Sequence, residues 1–222
     1  MKSRLLAIFF SVPAFMSFGQ VGVFGGASIV KGFGQPGIYQ GINFGVEVPR
    51  DDMTSFFGRV VMTLPYKEEG TIQATAIDPA TTFPSVKDVP CEFRNSVFNL
   101  QFGTRYYVGN GYDYGLSAYG GSIFEIGTVG VSRKVDEDAY DEEKYALVNS
   151  ENQEYANRGR IISFNLGLNA GVKYNFMFGV LFFDVSGSYS LFPISSNALS
   201  STYGRFAYVN FGFNLGYRKD IF

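Results

Sequence analysis

Large apolar and small polar residues alternate over residues 160–176, with Ile161 the one large apolar residue at an odd position. The even positions read Ile162, Phe164, Leu166, Leu168, Ala170, Val172, Tyr174 and Phe176, and the odd ones include Ser163, Asn165, Gly167, Asn169, Gly171, Lys173 and Asn175. A side-chain period of two belongs to a β-strand whose faces meet different surroundings. The stretch is far longer than an average strand of about five or six residues. It exceeds the about nine to eleven that a tilted strand needs to cross a bilayer.

The same pattern predicts eight strands, at 21–32, 38–48, 54–64, 93–108, 114–127, 160–176, 180–191 and 205–217. One face of the second carries Ile42, Phe44, Val46 and Val48, and one face of the fourth carries Phe98, Leu100, Phe102 and Tyr106. The first and fifth strands are rich in glycine, and their facing is ambiguous. The links sort by length. With both ends of the chain on the periplasmic side, three of the four outward links are the long ones (65–92, 128–159 and 192–204), as expected of a membrane barrel with short periplasmic turns. The fold expected is all-β: an eight-stranded antiparallel transmembrane β-barrel with an up-and-down meander.

Composition fits this reading. There are 24 Phe, 15 Tyr, 27 Gly and no Trp. Glycine relieves crowding inside a small barrel, and aromatic residues suit lipid and interface positions. Residues 1–19 read as a secretory signal: Lys2 and Arg4, a short apolar core broken by Pro13, then Ser17-Phe18-Gly19 at the cleavage site. The barrel domain is then 20–222. Without Lys2 and Arg4 it has 16 basic and 20 acidic residues, which argues against nucleic acid as a partner. The single cysteine, Cys91, cannot form an internal disulfide and is expected in a long loop.

Register can be tested at the hairpin around 177–179. If Phe178-Gly179 is the turn, Phe176 faces Leu181 and Tyr174 faces Phe183 on the lipid side, and Lys173 falls opposite Asp184 inside. Glu47, Arg59, Arg105 and Glu125 are the other inward charges. Charges in a narrow interior must be paired, so an ion-paired plug is expected; a proton or ion path is the alternative. A soluble lipocalin-like barrel also has eight strands. Its water-facing positions would carry Lys, Glu and Thr, whereas the polar faces here carry mostly Gly, Asn and Ser.

The C-terminal run Gly212-Phe213-Asn214-Leu215-Gly216-Tyr217 resembles the terminal assembly signal of outer-membrane barrels, with Phe213, Leu215 and Tyr217 on one face and Phe222 a second possible terminal aromatic. The chain as a whole resembles small outer-membrane β-barrel proteins of the OmpA/OmpX size class. The signal ending before Gln20 and the Gly/Asn/Phe-rich strands resemble barrel-domain proteins of Bacteroidota, including the PorT-like group. The resemblance implies residence in a Gram-negative outer membrane, contact with its lipid and lipopolysaccharide, and delivery by the barrel-assembly machinery.

No histidine occurs, which removes Ser-His and Cys-His nucleophiles and histidine metal sites. Outer-membrane lipases, deacylases and omptin-type proteases use histidine as families, so their mechanisms do not carry over. No cofactor is expected. The remaining candidate is the acidic run Asp136, Glu137, Asp138, Asp141, Glu142, Glu143, Glu151 and Glu154 in the fifth link, read either as a solvated loop or as a docking surface for a basic partner or a bridging divalent cation. In the link at 65–92, Ile72, Ala74, Ala76 and Ile77 could extend the strands above the membrane. The function expected is a non-enzymatic barrel that binds an outer-membrane protein partner through its outer links, as an accessory subunit of a secretion or assembly complex. The alternative is a narrow small-solute channel.

Overall fold

The computed structural model describes residues 21–221 except 36, 136–138, 140 and 149–156. The expected signal at 1–19, Asp136, Glu137, Asp138, Glu151, Glu154 and Phe222 lie outside the described residues. The described residues form ten strands: β1 (Gly22–Gly32), β2 (Tyr39–Asp51), β3 (Thr54–Thr63), β4 (Tyr66–Ala76), β5 (Val86–Gly109), β6 (Leu116–Val135), β7 (Tyr145–Leu147), β8 (Arg158–Phe176), β9 (Gly179–Ser195) and β10 (Val209–Asp220). Every neighbouring pair is antiparallel.

Eight of them close a ring in the order β3-β2-β1-β10-β9-β8-β6-β5, with β3 returning to β5. β4 and β7 stand outside the ring and lengthen the sheet at the long-loop end. The ring leaves no open edge, so every strand inside it has a hydrogen-bonding partner on both sides. Its two faces differ in chemistry. Outside, Ile42, Phe44, Phe56, Phe102, Leu166, Leu168, Phe183 and Leu215 are exposed. Inside, Asn43, Glu47, Arg59, Gln101, Arg105, Glu125, Asn165, Lys173 and Asp184 are each no more than 4 % exposed. Burying charge and exposing phenylalanine is stable only when the outer solvent is hydrocarbon. The chain is an integral outer-membrane β-barrel, since closed antiparallel rings with short turns at one end and long loops at the other are the architecture of that membrane. This excludes the lipocalin-like arrangement, whose apolar faces would point inward.

The strands run further than alternation alone predicts. β5 has 24 residues, roughly 80 Å of extended chain. Ile72, Ala74 and Ala76 of β4 do extend the sheet, and their side chains are buried, whereas Ile77 is exposed. They pack with Val89, Cys91, Phe93, Val131, Tyr145, Leu147 and Leu199 into a small apolar core above the barrel. Cys91 is therefore a strand residue in this core rather than a loop residue; its sulfur faces the Gly70 carbonyl at 3.6 Å. Burial pushes the Cys91 thiol up to about 11. The last outward link, 192–204, carries no element predicted from the sequence; it contains helix α1 (Ala198–Tyr203), started by a capping box between Asn197 and Ser200. Leu199 plugs into the same core, and Tyr203 stacks on Phe93 at 4.1 Å.

The β8–β9 hairpin corrects the expected register. Phe176 pairs with Gly179, so Met177-Phe178 is the turn. Lys173 then stands opposite Phe182, and Asp184 opposite Gly171. The slip is two residues, which moves no side chain to the other face. The polarity test could not see it, because facing changes only with a one-residue slip.

Candidate functional site

The inner face of β5 shows how the lumen is filled. From the long-loop end it presents Val97, Asn99, Gln101, Gly103, Arg105 and Tyr107 in succession. Val97 belongs to an apolar layer with Val30, Tyr39 and Val61. Arg105 lies at the centre of an ion network, and Tyr107 sits among Tyr112 and Tyr119 at the short-turn end.

Arg105 joins two carboxylates. Its Nη1 donates to Glu47 at 2.6 Å and its Nη2 to Asp184 at 3.0 Å. Asp184 also accepts from Arg59 Nη1 at 2.9 Å, Asn214 at 2.7 Å and the Tyr119 hydroxyl at 3.3 Å. Glu47 also accepts from Ser55, the Tyr107 hydroxyl and Arg218, the last at 3.1 Å. The Arg105 guanidinium lies over the rings of Phe57 and Tyr119, at 4.6 and 4.7 Å from their centroids. Such ring faces attract a desolvated cation. Phe24, Phe57, Ile123 and Phe182 pack around this level as an apolar collar.

Glu125 takes amide donors rather than a cation: Asn165 Nδ2 at 2.6 Å and Gln101 Nε2. Gln101 accepts in turn from Arg59 Nε at 2.8 Å, which links Glu125 to the ion network. The void beside Glu125 is only about 20 Å³, room for a single water.

Lys173 is not the partner of Asp184. Its ammonium donates to the Tyr112 carbonyl and, at 3.1 Å, to Asn175, and lies 4.9 Å from the Tyr107 ring centroid. Tyr112 gets there because the β5–β6 turn curls into the lumen. Gly111 makes this possible: it has a φ of +71°, and a Cβ there would meet the Asp52 carbonyl at 2.5 Å.

Arg218 was missed by ending the last strand at Tyr217. Its side chain is buried, bridges Glu47 and Asp220, and stacks on Tyr112 at 3.9 Å. Carrying the alternation of β10 one residue past Tyr217 would have placed it inside.

The acidic run at the outer end is only partly described. Asp141, Glu142 and Glu143 are exposed, and Asp141 pairs with Lys144 at 2.8 Å. That hydrogen bond holds the Asp141 carboxyl below the usual range. Among the described residues, no three Asp, Glu, Cys or His side chains gather as a metal site.

No protein-family model matches the chain, and no curated protein matches it. Similar solved structures do exist. Neisserial surface protein A is 12 % identical, with a TM-score of 0.48, covering 90 % of this chain and 94 % of that one. The attachment invasion locus protein Ail of Yersinia pestis is 15 % identical, with a TM-score of 0.44, covering 90 % and 99 %. A major outer membrane protein from Thermus thermophilus is 14 % identical, with a TM-score of 0.43, covering 90 % and 99 %. The barrel assignment rests on strand register and on the chemistry of the two faces.

The C-terminal run lies on β10, where Phe213, Leu215 and Tyr217 face outward opposite Ile29, Ala27 and Gly25 of β1. This is the seam that closes the ring. Replacing Tyr217 by Asp puts a charge on the lipid side of the seam and should sharply reduce the heat-modifiable folded species in outer membranes. Full assembly of Tyr217→Asp would remove this strand from the role of assembly signal.

Proposed function

We propose that this protein is a non-enzymatic outer-membrane barrel that binds a protein partner through its outer end, as an accessory subunit of a secretion or assembly complex. The observation that carries this reading is the division of labour along the axis. Side chains fill the lumen at three levels, the Val97 layer, the Arg105 network and the Tyr112 floor. Above it, β4, β7, α1 and the ends of β5 and β6 build a platform with its own core. A filled barrel anchors, and a structured platform presents a surface. The platform carries the acidic residues Asp141, Glu142 and Glu143, which suit a basic patch on the partner. The export signal at 1–19 and the resemblance to Bacteroidota barrels of the PorT-like group belong to the same reading.

The channel alternative makes the opposite prediction. Purified barrel in a planar bilayer should show no unitary conductance steps, because the Arg105 ion network and the apolar collar around it obstruct the lumen. Shortening the link between β6 and β8 should leave the heat-modifiable barrel intact and abolish recovery of the native partner. Reproducible conductance steps, hydrolysis of lipid or peptide by the purified barrel, or unaltered partner recovery would each overturn the proposal.

A further inference from the structure

The outer wall changes character abruptly just above its apolar belt. The strand register aligns Met62, Phe98, Thr128, Ile162 and Ile194 as one outward row across β3, β5, β6, β8 and β9. The next row toward the long-loop end is Ser96, Gly130 and Arg160, and the one after it is Lys67, Arg94, Ser132 and Arg158. Lys134 stands one step higher, opposite Glu92. Ile162 is 38 % and Ile194 59 % exposed, so the lower row belongs to the lipid face.

We propose that this wall binds the phosphorylated headgroup of an outer-leaflet lipid, held by Arg158, Arg160 and Lys134 with Arg94 at its edge. Three observations carry it. The first is continuity: the cations begin one row above side chains that meet acyl chains, the height at which a lipid's phosphates lie. The second is shape. Ser96, Gly130 and Ser132 are small and separate the cations, and all seven residues line one depression, whose rim also carries Arg133, Asn157 and a single described carboxylate, Glu142. The third is charge. Glu92 is occupied by Lys67 at 3.3 Å and by Arg94, while among the described residues the exposed Arg158, Arg160 and Lys134 form no ion pair. Arg158 and Arg160 lie on the same face of one strand, about 6.7 Å apart. That spacing lets both guanidiniums reach one phosphate or two neighbouring ones. The site rests on the reading that the long-loop end faces outward.

The test uses the full-length barrel in mixed micelles, with diphosphorylated lipid A and its dephosphorylated form as probes and native mass spectrometry as readout. The wild type should retain the phosphorylated probe at least tenfold over the dephosphorylated one. The double variant Arg158→Gln/Arg160→Gln should lose that preference, and Lys219→Gln, which removes an exposed cation at the other end, should keep it. Both variants should show the wild-type heat-modifiable gel shift. Equal retention of the two probes, an unchanged double variant, or full displacement by millimolar inorganic phosphate would overturn the lipid site. Membrane orientation is read separately, by labelling Phe83→Cys on intact cells in a Cys91→Ser background. Failure of labelling would sink the outward orientation while leaving the micelle result standing.

Discussion

Replacing Asp184 by asparagine should cost the folded barrel about 3–5 kcal/mol, because it leaves Arg59 and Arg105 buried with one carboxylate fewer between them. The substitution keeps the shape of the side chain, so the loss reports on charge and not on a cavity. A urea titration of the barrel in lipid vesicles, followed by the heat-modifiable gel shift, measures it through the midpoint at unchanged slope. Adding Arg59→Met should recover part of the loss, since the survivor's desolvation is then removed. The cycle for Arg59 and Asp184 should therefore show a coupling above about 1 kcal/mol, and that for Lys173 and Asp184 should stay within about 0.5 kcal/mol. Strong coupling in the Lys173 cycle would restore the register expected from the sequence. Additive losses in the Arg59 cycle would show that the network is not the source of the cost.

That register shows what alternation can and cannot reveal. Ile162, Phe164, Leu166 and their neighbours state which face is apolar, and the ring of eight strands follows from repeating that statement. The step from face to partner fails at Lys173 and Asp184 because slips of two residues preserve facing. Only the turn decides among them, and Met177-Phe178 carries no turn signature that separates it from Phe178-Gly179. The true partners of Asp184 are remote in sequence: Arg59 on β3 and Arg105 on β5 reach it across the lumen. Closure of the ring creates these contacts, and no local pattern encodes them. Glu47, Arg59, Arg105, Glu125, Lys173 and Asp184 could be assigned to the interior from the sequence, whereas their pairing could not.

The outer end was harder to read for a different reason. Above the membrane both faces of the sheet meet protein or water, so the contrast between odd and even positions fades. Ile72, Ala74 and Ala76 still alternate and mark β4, but α1 is six residues long and has too few turns to show a helical period. The outward cation Arg160 opens a strand expected from the sequence, whereas Arg158 falls in the link before it and joins the strand only in the structure. What they share with Lys134 and Arg94 appears only once β5, β6 and β8 are in register.

Replacing Phe93 by alanine should open the platform and leave the barrel closed. Phe93 is 3 % exposed, stacks on Tyr203, and fills the space that Gly70 leaves, where a Cβ would meet its ring at 2.9 Å. Losing a buried phenylalanine typically costs about 3–5 kcal/mol. The loss falls on the platform because its core lies above the ring and shares none of the lumen's ion pairs. Cys91 gives the readout. It is buried in the same core, and with its thiol pushed up to about 11 it is protonated at neutral pH as well as covered. Alkylation in the wild type should then require local opening. A local loss of about 3 kcal/mol should speed labelling of Cys91 by about 100-fold, since each 1.4 kcal/mol is a factor of ten. The urea midpoint of the barrel should stay where it was. If labelling does not change, Phe93 does not hold the platform shut. If the midpoint falls together with faster labelling, platform and barrel open as one cooperative unit, and the separation of anchor from binding surface fails.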